Sequence, residues 1–128
     1  MNKESNPSKT NFYRSLKFQK LESLLSKSKI SVDINGLHGS SLSLLILDLF
    51  YKTNKSIMFL CDDESEARYI YSDLVDHTHN KECLYFPSSY NKLKSHSINK
   101  DNAIQREKVC ESIETDNKRI YVSSSNGI

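Results

Sequence analysis

Read from the amino terminus, apolar positions fall into blocks whose spacing alternates between helical and extended. Phe12, Leu16, Leu21, Leu24 and Leu25 recur at helical intervals, predicting an amphipathic helix over residues 11–27. Ile30 to Ile34 is short and β-branched and predicts a first strand. Leu42, Leu45, Ile46, Leu49 and Phe50 then line one helix face, widened by Leu44 and Leu47. So broad a stripe predicts a helix buried against a sheet. Ile57-Met58-Phe59-Leu60-Cys61 is apolar throughout, the pattern of a strand covered on both faces. Asp63 and Glu66 read as a carboxylate variant of a capping box. Ala67, Ile70, Tyr71, Leu74 and Val75 follow at i, i+3, i+4, i+7 and i+8, the clearest helix of the chain. Cys83-Leu84-Tyr85-Phe86 predicts a third strand stopped by Pro87, Asp101 to Glu114 a helix with a weaker apolar face (Ala103, Val109, Cys110, Ile113), and Ile120-Tyr121-Val122 a fourth strand. Alternating strands and helices predict an α/β fold, a parallel sheet with flanking helices.

The stretch that organises this pattern is Ser31 to Ser43, which joins the first predicted strand to the broad helix through Gly36 and Gly39. Two of the three glycines sit there. A strand, a glycine turn and a helix N-terminus can direct backbone N–H groups and the helix dipole at a phosphate. Set against GxxxxGK[ST], Gly36 takes the first glycine, Ser41 the second, Leu42 the lysine and Ser43 the terminal hydroxyl. Gly36, Gly39, Ser40 and Ser43 are therefore the candidate cofactor-binding residues of a degenerate phosphate loop. Leucine cannot hold a β/γ-phosphate, so the loop is expected to be non-functional in hydrolysis. The same residues also suit a plain strand-to-helix turn that uses glycine for its backbone.

Composition narrows the class. A chain of 128 residues is one domain's worth and long enough for a core. No apolar run approaches the ~20 residues of a bilayer span, and residues 1–20 lack a signal-peptide core, so a cytoplasmic location without membrane contact is expected. Cys61, Cys83 and Cys110 are odd in number and far apart, which fits reduced thiols better than disulfides or zinc. The net charge of +2 hides an asymmetry: residues 1–30 carry seven Lys/Arg against two acids, and the remainder eleven against fourteen. That basic segment suits a nucleic-acid contact or a solvated helix face, the latter being the simpler reading. Residues 1–10 are Asn/Ser/Lys-rich and expected to be a disordered tail. Residues 87–100 read as a polar loop, with Tyr90, Lys92, Lys94, His96 and Lys100 offering surface chemistry or a backbone contact to nucleic acid.

Asp62, Asp63, Glu64 and Glu66 suit a first helical turn better than a metal site. His38, His77, His79 and His96 are scattered, and His77-x-His79 reads as a helix C-terminal cap. No metal site, nucleophile elbow or acid/base pair emerges, so the chain itself is not expected to be catalytic.

Gly36-Leu37-His38-Gly39-Ser40, the apolar helix after it, Asp63-x-x-Glu66-Ala67, Phe86-Pro87-Ser88-Ser89-Tyr90, and Gln105-Arg106 before Val109 occur in an order that resembles one family. It is similar to the N-terminal domain of the bacterial transcription-repair coupling factor (Mfd), itself similar to the first domain of the UvrB excision-repair subunit. The resemblance spans about residues 11–128. It implies a P-loop-NTPase-like fold with a degenerate nucleotide loop, divided into a tail (1–10), an N-terminal helix (11–30) and a UvrB-like domain (31–128). It also implies that the chain is a fragment whose sheet lacks later strands, marginally stable or association-prone alone. The complete family protein is an ATP- and Mg-dependent DNA translocase that displaces stalled RNA polymerase and recruits UvrA. Its motor lies downstream, leaving this module no cofactor of its own and the remaining domains as its partners. The alternative is a small stand-alone α/β protein that binds a nucleotide or phosphate at the Gly36–Ser43 turn.

Overall fold

The computed structural model describes residues 16–27, 29–79, 82–88, 100–115 and 117–126. The elements are α1 (Leu16–Leu25), α2 (Ser41–Lys52), β1 (Ile57–Cys61), α3 (Glu64–Val75), β2 (Cys83–Phe86), α4 (Lys100–Glu114) and β3 (Ile120–Ser124). The chain divides into two compact units, Met1–Leu44 and Leu45–Ile128, with the division inside α2. The expected tail over residues 1–10, Phe12, and Tyr90, Lys92, Lys94 and His96 lie outside the described residues.

In the smaller unit, Leu21 on α1 is buried. The strand expected from Ile30 to Ile34 is not formed. This segment is irregular, with Ile30 and Ile34 39% and 45% exposed. Lys29, at φ 59°, turns the chain left-handed immediately before it. The alternating Ser31, Asp33 and Asn35 have short polar side chains that compete for backbone groups and disfavour a ladder. Apolar periodicity alone does not make a strand without a pairing partner.

In the larger unit the three strands form a parallel sheet in the order β1-β3-β2. Register places Ile57, Phe59 and Cys61 on one face with Ile120, Val122 and Ser124, and with Cys83 and Tyr85. α3 covers this face: Tyr71 stacks 5.5 Å from Tyr85, whose hydroxyl donates to Glu64 Oε1 at 3.3 Å. Ala67, Ile70 and Leu74 of the expected stripe are buried and Tyr71 is half-buried, whereas Val75, at the last turn, is 41% exposed. Its start is fixed by Asp63, which has extended φ/ψ and whose Oδ1 accepts from the Glu66 N–H at 2.8 Å.

α4 covers the opposite face over β2 and β3, and does so with its polar side. Arg106 lies 4.0 Å over the Phe86 ring and donates to Pro87 O at 2.9 Å. Ser112 Oγ lies 3.4 Å from Tyr121 OH, and Asn102 donates to Ser88 O at 2.8 Å. Of the apolar face expected for this helix only Val109 is buried; Ala103, Cys110 and Ile113 are exposed. The strand buried throughout is therefore β3, including Ser123 and Ser124, while Met58 and Leu60 of β1 are 54% and 52% exposed. A continuous apolar run expected to be covered twice is covered once, because it is an edge strand. The C-terminal half of α2 joins this unit with Leu45, Ile46, Leu47 and Phe50 buried and the Lys118 Nζ 4.3 Å over the Phe50 ring.

Candidate functional site

The glycine turn keeps part of the backbone frame read from the sequence. Gly36 and Gly39 adopt φ +86° and +56°, and a Cβ at either would meet nothing within 4 Å. Glycine is thus needed here for backbone conformation and not for clearance. Gly36, His38, Gly39 and Ser40 are exposed. Ser40 stands just before α2 and its carbonyl accepts the first helical bond, from Leu44 N–H at 3.0 Å.

Two residues set the chemistry of this turn. Ser41, at the second patterned glycine, closes it inward: its Oγ accepts from His38 N–H at 2.8 Å and donates to His38 O at 2.7 Å. Ser43 shares a helix face with Ile46, Leu47 and Phe50 by the i, i+3, i+4, i+7 rule, and all four are buried. Ser43 Oγ has no hydrogen-bond partner. Its hydroxyl is thus on the side of the helix that carries core residues. Leu42, at the lysine position, is half-buried. What the turn offers an anion is backbone: among the described residues the Leu42 and Ser43 amides precede the first helical bond donor and make no backbone hydrogen bond.

A second group, missed in the sequence, lies at the carboxyl ends of the strands, where ligands bind in open parallel sheets. Cys61, Phe86 and Ser124 end there. Ser123 Oγ donates to Phe86 O at 2.8 Å, Ser125 Oγ to Asp62 O at 2.9 Å, and Ser125 N–H to Cys61 O at 2.9 Å. With Arg106 and Asn102 bound to Pro87 O and Ser88 O, these side chains tie strand ends together. Serines after an apolar triplet read as loop, so this role left no signal in the pattern.

Two thiols and two phenols of the larger unit are shifted toward their protonated forms. Burial, helped by Glu66, Asp63 and Asp62, pushes the Cys61 thiol up to about 11, and burial pushes Cys83 up to about 12. Tyr85 rises to about 12 through burial and the Glu64 carboxylate. Tyr51 rises to about 12 through burial and its 3.0 Å hydrogen bond to Glu82. Thiols so placed are poor nucleophiles. No group of three or more His, Cys, Asp or Glu among the described residues is arranged to hold a metal ion. His77 Nδ1 instead sits 2.8 Å from Asp73 O at the end of α3. Nor is any helix among the described residues long and apolar enough to cross a membrane.

Compared with known proteins, the chain matches no family model, and no curated protein or solved structure matches it.

Proposed function

We propose that this chain is a non-catalytic, UvrB-like scaffold module of a transcription-repair coupling factor, with a P-loop-NTPase-like fold and a degenerate nucleotide loop, working in the cytoplasm. The observation that carries this reading is the turn into α2: glycines at positive φ lead into the helix, but Leu42 stands where a phosphate-binding lysine would be and the Ser43 hydroxyl is buried. A turn built this way suits packing and positioning, not phosphoryl transfer, which depends on a cation and a metal beside the transferring group. On this reading ATP and Mg serve the motor of the complete protein. UvrA, RNA polymerase and DNA are then partners of that whole, and the module's own partners are its neighbouring domains. Calorimetric titration with Mg-ATP is expected to give no heat of binding at millimolar nucleotide, and the coding sequence after codon 128 is expected to continue into helicase motifs. Micromolar affinity for Mg-ATP, or an open reading frame without such motifs, overturns the proposal.

The second reading, a small phosphate- or nucleotide-binding α/β protein, draws on the amides of Leu42 and Ser43. Titration with inorganic phosphate alone tests it: saturable binding that Gly39→Ala weakens favours this reading over the scaffold.

A further inference from the structure

We infer that the outer edge of β1 is a self-complementary docking surface, and that a second copy of this chain pairs with it antiparallel to join two three-stranded sheets. Among the described residues the edge is bare in backbone, and it is apolar in side chain. Ile57 N–H donates to Arg119 O at 2.9 Å, and Cys61 O accepts from Ser125 N–H at 2.9 Å. The alternation of a strand ladder therefore aims positions 57, 59 and 61 at β3 and turns the N–H and C=O groups of Met58 and Leu60 outward. No bond from those outward groups is made among the described residues. The same two residues carry the exposed apolar side chains of the sheet, Met58 at 54% and Leu60 at 52%. β1 has no proline, charge or glycine, the devices that normally keep an edge strand from pairing. The opposite edge differs, since β2 is followed directly by Pro87 and its Phe86 lies under Arg106.

Charge selects a second copy as the occupant. A two-fold axis at Phe59 sets Met58 opposite Leu60 of the second copy and Leu60 opposite its Met58, each pair exchanging both backbone hydrogen bonds. The half-buried Phe59 then faces itself, and four apolar side chains meet on the uncovered face. In this register Ser56 lies opposite Asp62 of the second copy, and Lys55 opposite its Asp63. Lys55, Asp62 and Asp63 are all exposed, so each end of the seam brings a cation to two carboxylates. A parallel arrangement would instead set acid against acid. An antiparallel strand added to the edge of a parallel sheet is a common mixed-sheet geometry.

Sedimentation equilibrium on the 128-residue protein is expected to show a concentration-dependent dimer. Met58→Lys/Leu60→Lys sets lysine against lysine across the seam and is expected to abolish it, leaving circular dichroism and the cooperative melt intact because both side chains are exposed. Lys55→Asp should weaken the dimer about tenfold, and adding Asp62→Lys should restore part of that loss, since Asp63 still faces residue 55. A wild-type protein that stays monomeric over its soluble range overturns the inference. So does a dimer indifferent to the paired lysines, or one that the charge exchange fails to restore even in part.

Discussion

At position 42 a lysine would have to reach back over the glycine turn to meet a phosphate, but Leu42 is half-buried and Ser41 has closed the turn onto His38. Leu42→Lys is therefore expected to leave the protein without ATPase activity in a coupled assay, because the hydroxyl that would share the metal is on the buried face. Gly39 is held at φ +56° with open space around it, so Gly39→Ala carries a backbone cost alone. Urea melts should show it about 1 kcal/mol less stable, and Gly39→Asn less affected. Cys61 and Cys83 are acids whose folded pKa values, about 11 and about 12, lie above the ordinary 9.0. Between those limits the folded chain binds more protons than the unfolded one, so stability falls as pH rises. Melts are expected to be level up to about pH 8 and to fall through pH 9–11, less steeply in Cys83→Ala measured against its own neutral-pH value.

Elements legible from periodicity were those whose local and tertiary demands agree. α3 has an N-cap, acids in its first turn and an apolar stripe, and all are in place except Val75 at the stripe's end, which is exposed. Asp63→Ala should cost about 1 kcal/mol by removing the cap, and Leu74→Ala about 2–5 kcal/mol by opening a cavity where the side chain is wholly buried. Chemical denaturation of both variants checks the ranking. α4 was harder to read because Asn102, Arg106 and Ser112 make its packing contacts, and an apolar template does not count an arginine whose guanidinium carbon lies over a phenylalanine ring. The Ile30–Ile34 segment shows the converse, since its alternation is strand-like but pairing is a property of two segments.

The whole molecule carries a small positive charge concentrated in residues 1–30, which predicts weak duplex binding that falls steeply with added salt in a mobility-shift assay, as phosphate contact alone would. Tight, salt-resistant binding would show a site that charge does not explain. The sequence by itself determined the α/β class, the helix positions, the glycine turn and the absence of its lysine, because each depends on local spacing or on the identity of one residue. Tertiary structure decided which strand is central. Ile57–Cys61 and Ile120–Ser124 are both short extended segments, and only the order β1-β3-β2 makes the serine-ended one the core and leaves the wholly apolar one at the edge. It also decided that Ser43 is buried and that Ser123 and Ser125 bind strand ends together. Burial and pairing depend on what lies across a gap in space, and a single chain's periodicity records only what lies three or four residues away.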